Sequence, residues 1–516
     1  MKLGKWLGLA CAAVLGLLAS VPAKAQWLRA ESPNFVVYSK EPEARLRERI
    51  LLLENFDRLL RRMTNVDGPP AQSKLNVYIV NGLRDLRIIR PVDNLSGFYT
   101  ATPNGIAAFV DGNVETRERG VGRNRSTSEN EVLFHEYAHH FMMQYSANAY
   151  PVWYIEGFAE YFSTAQFREG SVDVGNFSTV RAQWLANGPW LPTERVLLRG
   201  RERFTETQIA MFYAQSWLLT YHFYSTPERQ EALIRYLQAS REGNAAEALR
   251  NATGMTPEQL HRELRSYVHG ARISYSRLTL GELQTPTQAT ITALPASAND
   301  LLLYEASLRV GVPDEYKTAH LEHIRAAAAR HGEDAYARRV RAHAEILLGD
   351  RAAAAPLLDA LLAAAPADAE LMYLEGLMHL GNSENAEDGE AGEAEATVAR
   401  RWFTRAHNID RNHFQTLYRY SQSLRFDQRY VSENTANVLL LAHQLAPQVT
   451  EITLTAAGLL IARRDFAGAE LLLRPLASDP HNTELAELAQ QMIDRARTDA
   501  APESEPPEAP APEGSE

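Results

Sequence analysis

Alanine and leucine dominate residues 299–497, where apolar positions recur at the spacing of an α-helix. Such helices are stable only when they bury their apolar stripe against a neighbour, so this stretch predicts many helices packed side by side. The chain has 516 residues, too many for one ordinary core, which indicates at least one further domain upstream. Its 45% hydrophobic and 23% charged residues are typical of a soluble globular protein.

A recurring ending divides the helical stretch into units. Residues 347–350 (Leu-Leu-Gly-Asp), followed by an alanine run and Ala365-Pro366, resemble the second half of a tetratricopeptide repeat. Pro447 and Pro480 close later units and lie 33 residues apart, against a usual period of about 34. The pattern predicts an all-α solenoid whose concave surface could bind a protein or peptide partner. An unrelated helical bundle is the alternative.

The N-terminus has the order of a secretory signal. Lys2 and Lys5 precede an apolar stretch over residues 6–21, and Ala23-Lys24-Ala25 ends it with small residues. We therefore expect a signal peptide over residues 1–25, cleavage before Gln26, and a periplasmic or secreted protein. The alternative is an uncleaved membrane anchor, although the apolar stretch is short for a span.

Cysteine content and charge exclude several classes of function. The only cysteine, Cys11, lies in the signal segment, so the mature chain can have neither disulfides, thiol catalysis nor cysteine-ligated metal. The precursor has a net charge of −11, and removal of three lysines with the signal gives −14, which argues against nucleic-acid binding. No run of eighteen apolar residues follows residue 30, so we expect no membrane span after cleavage.

The region before the repeats has two parts. Residues 26–125 combine a helical pattern over 41–63 with β-rich runs, which predicts a small mixed sheet with a helix. These runs lie at 35–38, 75–80, 96–99 and 106–110. Residues 126–275 are mostly helical, and a less regular linker is expected over 276–298. The last segment, 498–516, is acidic and Pro-rich and should be disordered.

One helix in the second part carries a metal-binding pattern. Ser128 and Glu131 resemble a capping box at its start. His135 and His139 are four residues apart, so both imidazoles project from one face and can converge on a single ion. Glu136 lies about a hundred degrees around the helix, where it can take a proton from bound water as general base.

A second helix supplies a third ligand. It is expected to begin near Pro151, and the loop of residues 146–150 is short enough to pack the two helices antiparallel. Glu156 can then face the two histidines. Two histidines and one glutamate bind catalytic zinc, one ion per chain, and leave a position for water. Glu160, one turn on, can accept a hydrogen bond from a ligand imidazole.

These residues resemble a known clan. His135-Glu136-x-x-His139, followed by Trp153-x-x-Glu156-Gly157-x-Ala159-Glu160-Tyr161, is similar to the gluzincin metallopeptidases, which include thermolysin and the zinc aminopeptidases. The resemblance covers 26–275, and the order of regions is similar to that of bacterial secreted peptidases with helical repeats. It implies an α+β fold, with a thermolysin-like domain before the all-α solenoid. It also implies zinc on the two histidines and Glu156, with Glu136 as base.

The clan also uses a downstream tyrosine or histidine to hydrogen-bond the oxyanion. Tyr213 resembles that tyrosine and His222 is the second choice, whereas a core aromatic is the alternative for Tyr213. His140 is expected to be structural. The strand region 96–110 lacks the Gly-x-Met-Glu-Asn segment of the aminopeptidase branch, so endopeptidase action is preferred.

The sequence therefore predicts an exported zinc metallopeptidase that hydrolyses protein or peptide substrates, with repeats that bind a protein or peptide. The main rival is a binding protein, in which the repeats act and the metal domain is a catalytically inactive scaffold. A purely structural zinc is the third alternative, and it leaves a base beside an open site without a purpose.

Overall fold

The structure is a computed structural model. It describes residues 26–91, 97–112, 129–145, 150–176, 178–198, 204–240, 244–270, 275–279, 287–427, 430–478 and 483–500. The predicted signal peptide, Ser128 of the predicted capping box, most of the loop at 146–150 and the tail from 501 lie outside these residues. Among the described residues, no helix combines the length and apolar character needed to cross a bilayer.

A six-stranded mixed sheet forms the N-terminal part. Its strands are β1 Leu28–Glu31, β2 Phe35–Ser39, β3 Leu75–Val80, β4 Gly97–Thr102, β5 Gly105–Asp111 and β9 Thr290–Ala293. Their order is β4-β5-β3-β2-β1-β9, with parallel pairing of β2 with β3 and of β3 with β5. The other neighbouring strands pair antiparallel.

Alternation along the strands covers both faces of this sheet. In β3, Val77 and Ile79 point into the core shared with helix α1 (Glu43–Thr64). Tyr78 and Val80 point to the opposite face, towards helix α2 (Leu83–Ile89). A strand with both faces buried explains the continuous apolar run in the sequence.

The next part of the chain is mainly helical and holds a small antiparallel sheet. Its strands are β6 Gln166–Arg168, β7 Ser171–Val174 and β8 Ser276–Thr279, in the order β6-β7-β8. The helices are α3 Glu129–Tyr145, α4 Val152–Ser163, α5 Thr179–Asn187, α6 Thr193–Leu198, α7 Glu206–Tyr224, α8 Pro227–Ala239, α9 Ala245–Thr253 and α10 Pro257–Gly270. The mainly helical character expected for this part is observed, but its small sheet was not predicted, because the sequence placed a small mixed sheet only in residues 26–125.

The segment 276–298, predicted to be an irregular linker, contains two strands instead. β8 pairs with β7, and β9 pairs with β1 at the edge of the large sheet. Both strands are short, polar and largely exposed, so they lack the apolar alternation by which a strand is recognised in a sequence. Their partners lie more than a hundred residues upstream, a distance that local patterns do not reveal.

The predicted all-helical C-terminal region is confirmed. Its helices are α11 Ala298–Val310, α12 Lys317–His331, α13 Ala335–Leu348, α14 Arg351–Ala364, α15 Ala369–Glu384, α16 Gly389–Ile409, α17 Phe414–Ser423, α18 Glu433–Leu445, α19 Thr450–Ala462, α20 Phe466–Ala477 and α21 Thr483–Ala500. Short 3₁₀ turns lie at Asp314–Tyr316 and Leu424–Phe426. Aspartate side chains cap the first-turn amides of five of these helices, at Asp334, Asp350, Asp368, Asp388 and Asp465.

Consecutive helices in this region pack together, and α11, α13, α15 and α17 also contact each other in series. We call these four the inner helices. α11 covers the second face of the large sheet, where Leu302 packs in a cluster with Tyr78 and Phe109. At the tip of the β4–β5 hairpin, Asn104 Oδ1 accepts a hydrogen bond of 2.6 Å from Arg419 of α17. The repeats and the large sheet therefore form one packed body.

Leu302→Ala should test this packing. Loss of a buried leucine costs about 2–5 kcal/mol, so the midpoint of urea unfolding should fall clearly. The control is Leu471→Ala on α20, because Leu471 is 73% exposed whereas Leu302 is 2% exposed. The control should change stability by no more than about 0.5 kcal/mol. Equal midpoints for the two variants would contradict the contact between α11 and the sheet.

Candidate metal centre

Two helices of the central part bring the predicted ligands together. α3 carries His135 and His139, one turn apart on one face, and α4 carries Glu156. Helix α4 lies between α3 and α7. Gly157 permits the close approach of α7, because a Cβ at that position would clash with Thr220 and with the backbone of Ser216. The packing of these three helices therefore determines where the ligands lie.

The distances between the ligand atoms of this group fit tetrahedral coordination of one ion. The Nε2 atoms of His135 and His139 are 3.1 Å apart, and Glu156 Oε2 lies 3.8 Å and 3.5 Å from them, respectively. Zinc–ligand bonds of about 2.0–2.1 Å at tetrahedral angles separate ligand atoms by about 3.4 Å. His139 and Glu156 are buried, and His135 is partly exposed. Among the described residues, these three form the only group of histidine, cysteine, aspartate and glutamate side chains whose ligand atoms lie close enough to one another to hold one metal ion.

Electrostatics favour the protonation state that binds metal. Burial lowers the pKa of His135, and the neighbouring His139 lowers it further. Two facing nitrogens at this distance also repel if both imidazoles are protonated. Neutral imidazoles and an ionised carboxylate are the forms that ligate zinc, so the side chains present fit the ion.

The predicted base and tyrosine line the same cleft as His135. This cleft has a volume of about 230 Å³, and its walls include Glu136, His135 and Tyr213. The ring of Tyr213, on α7, lies with its centroid 6.4 Å from that of His135. Tyr213 is partly exposed at the cleft rather than enclosed in the core. Tyr213 therefore faces the cleft, and its role towards an oxyanion stays a prediction.

His222, the second choice for the oxyanion role, does not reach the cleft. It lies nine residues after Tyr213 on the same helix, which places it on the opposite side of α7. Its ring is buried beside Tyr267, and its Nε2 lies 3.6 Å from Glu263. Burial lowers the pKa of His222 to about 4, and the charge of Arg229 contributes. His222 is thus a structural residue.

The structure also places Glu160 behind His135. Its Oε1 lies 3.5 Å from Nδ1 of His135, on the side of the ring away from Glu156. The same carboxylate accepts two hydrogen bonds from Arg181 of α5, at 2.7 and 2.6 Å. Sequence reasoning missed Arg181, since it lies 21 residues from Glu160 and no spacing rule connects two helices separated by a β-hairpin.

His140 faces away from the ligand group, as expected. Its Nδ1 lies 3.2 Å from the hydroxyl of Tyr99 on β4, and the side-chain amide of Gln448 approaches the same nitrogen at 3.5 Å. Burial lowers the pKa of His140 to about 3, so it stays neutral at physiological pH. Gln448 belongs to the turn between α18 and α19 and also donates to Gln144, which links the repeats to the ligand-bearing helix α3.

A larger cavity of about 610 Å³ lies between the large sheet and the inner helices. It shares no lining residue with the metal cleft. Its charged side chains are paired with each other. Arg309, for example, contacts Glu305 at 3.2 Å and Glu370 at 2.8 Å. Size alone does not make it the reactive site, because His135 of the predicted ligand group lines the smaller cleft.

Comparison with known proteins finds a family match and a structural similarity. Residues 127–244 match a family described as a protein of unknown function (DUF1570), and this stretch holds the ligand group, Tyr213 and Arg181. No curated protein matches the chain. The crystal structure of a thermophilic TPR protein in Thermus thermophilus is similar to it, with 16% identity and a TM-score of 0.33. The similarity covers 38% of this chain and 99% of that one.

Glu156→Ala should weaken zinc binding by more than about 100-fold, beyond the 10–100-fold typical of an outer-shell partner. Glu375→Ala is the control, because Glu375 is also a buried helical glutamate but lies in the repeats on α15. Competition with a chromophoric chelator measures both affinities. Unchanged affinity in Glu156→Ala would remove Glu156 from the ligand set.

Proposed function

We propose that this protein is an exported zinc-dependent metallopeptidase that hydrolyses peptide bonds in protein or peptide substrates. The observation that carries the proposal is the convergence of His135, His139 and Glu156 at distances that suit a tetrahedral ion. His135 also lines a cleft whose walls include Glu136 and Tyr213. A closed structural zinc site needs four protein ligands and no base. Here three ligands accompany a carboxylate placed for proton transfer.

Each side chain has a separate task in the proposed reaction. A zinc ion on this ligand set would supply Lewis-acid activation of a water molecule and of a peptide carbonyl. Glu136, in the cleft beside the ligands, takes the proton of the attacking water at its carboxylate and returns it to the leaving amine. The Tyr213 hydroxyl donates a hydrogen bond to the oxyanion. Glu160 holds the imidazole of His135 from behind.

Endopeptidase action is the preferred form of this activity. The preference rests on the missing aminopeptidase segment in residues 96–110, whose glutamate would bind a free substrate amine. The N-terminal order of charged, apolar and small residues supports export to the periplasm or beyond. The gluzincin resemblance supports the same reaction class through the residues on α3 and α4.

A second proposed function is protein binding by the helical repeats, which the stacked helices favour. In its strongest form, the metal domain is an inactive scaffold for that binding. The inner helices already pack on the chain's own sheet, with α11 on β4 and β5 and α17 on the hairpin tip. A partner would therefore need another face of the repeats, and this function does not require loss of catalysis.

Glu136→Gln separates the two functions. Purified mature protein should bind one zinc ion and cleave a denatured-protein mixture, whereas Glu136→Gln should keep the zinc and lose about 10²–10⁴-fold in cleavage rate. The reason is that the amide cannot accept the proton of water. Stoichiometric zinc without cleavage by the wild type would refute the peptidase proposal and favour the scaffold.

Tyr213→Phe removes the proposed oxyanion donor and keeps the ring. We expect kcat to fall by about 10²-fold, with zinc affinity unchanged. Tyr221→Phe is a suitable control, because Tyr221 lies on the same helix but stacks on Trp217 outside the cleft. A wild-type kcat for Tyr213→Phe would exclude the tyrosine from the reaction.

A further inference from the structure

Arg181 connects the carboxylate of Glu160 to the wall of the metal cleft. Arg181, in the first turn of α5, donates from Nε to Glu160 Oε2 at 2.7 Å and from Nη2 to Oε1 at 2.6 Å. This two-point arrangement sets the plane and position of the carboxylate, which a single hydrogen bond would leave free to rotate. Both side chains are largely withdrawn from solvent, with relative exposures of 22% and 7%.

Glu160, the carboxylate that Arg181 holds, lies behind the predicted metal ligand His135. Glu160 Oε1, which accepts from Arg181, also lies 3.5 Å from Nδ1 of His135. The other ring nitrogen of His135 points into the ligand group, 3.1 Å from His139 Nε2. A proton on Nδ1, directed to Glu160, leaves Nε2 as the lone-pair donor, so the position of Glu160 selects the ligating tautomer.

Charge balance explains why Glu160 needs its own cation. Glu160 is buried, and the guanidinium of Arg181 supplies the positive charge and the two hydrogen bonds that offset the cost of burying its carboxylate. Without a partner, a buried carboxylate is either protonated or strongly destabilising. The geometry of the pair therefore matters to His135, even though Arg181 itself makes no contact with the ligand atoms that the structure describes.

Arg181 also touches the proposed oxyanion donor. Its guanidinium lies over the ring of Tyr213, 5.1 Å from the centroid, and both side chains line the cleft. A cation over a tyrosine face is attractive and restricts the ring's position. One side chain thus contacts two groups of the site that come from different helices, α4 and α7.

We propose that Arg181 is a positioning residue of the metal centre, which fixes Glu160 behind His135 and holds the ring of Tyr213 at the cleft. The role of Arg181 in fixing Glu160 requires only that the ligand group binds zinc. Its role in holding the ring of Tyr213 rests on the proposed peptidase function. Two other roles for Arg181 make different predictions. A purely structural ion pair would affect folding alone, and a substrate-binding arginine would affect KM alone.

The test compares Arg181→Ala and Arg181→Lys with a control arginine. Arg277→Ala removes a similar two-point pair, because Arg277 donates to Asp173 at 2.6 and 3.0 Å in the small sheet outside the cleft. We expect Arg181→Ala to weaken zinc binding by about 10–100-fold. The loss should be smaller in Arg181→Lys, which keeps the positive charge but cannot form the planar two-point hydrogen bond of a guanidinium. Arg277→Ala should bind zinc like the wild type.

Further measurements exclude the other roles. In the cobalt-substituted protein, Arg181→Ala should shift the visible absorption bands, which report ligand geometry, and kcat should fall more than KM rises. A variant that loses thermal stability but keeps wild-type zinc affinity and cobalt spectrum would show a structural pair and overturn the inference. A rise in KM alone, with wild-type zinc affinity, would also overturn it.

A double variant tests whether Arg181 acts through Glu160. Glu160→Gln is nearly isosteric, so it removes the charge without leaving a cavity. If the two residues act as one unit, Arg181→Ala/Glu160→Gln should bind zinc no more weakly than the weaker of the two single variants. Additive losses would contradict the proposal. Absence of zinc from the wild type would instead refute the proposed function itself, so the two failures are distinguishable.

Discussion

The packing of α3 against α4 is the contact on which the rest of the site depends. It places two imidazole nitrogens 3.1 Å apart and faces them with a carboxylate that is almost fully buried. Ionisable groups withdrawn from water at such distances are costly by themselves, and a divalent cation would offset that cost. Gly157 allows α7 to close over α4, and this brings Tyr213 to the same cleft. The predicted ligands, base and tyrosine therefore lie on one set of packed helices rather than on separate loops.

The C-terminal helices pack directly against the part of the chain that carries the candidate site. α11 buries one face of the large sheet, and Arg419 of α17 donates a hydrogen bond to Asn104 at the tip of the β4–β5 hairpin. Gln448 contacts His140 and Gln144 on α3, the helix that carries the two predicted histidine ligands. β9, which comes just before the repeats, completes the edge of the sheet. This arrangement gives the repeats a structural task within the chain. It also restricts the surface on which they could bind another protein.

The sequence was most informative where the relevant spacing is local. His135 and His139 share a helix face because they are four residues apart, and β3 was visible as an almost continuous apolar run because both of its faces are buried. The strands β8 and β9 could not be predicted, because they are polar and pair with partners far upstream. Arg181 was missed for the same reason. Its role depends on how α5 is placed beside α4, which tertiary packing decides.

The most direct test of the proposed metal centre is X-ray absorption spectroscopy of the mature protein loaded with one equivalent of zinc. Zinc bound by His135, His139 and Glu156 should give a four-coordinate site with ligand distances of about 2.0–2.1 Å and the multiple-scattering signature of two imidazoles. The imidazole signal should fall to one in His139→Ala. A spectrum with only oxygen ligands, or one unchanged by that substitution, would contradict a metal centre at His135, His139 and Glu156.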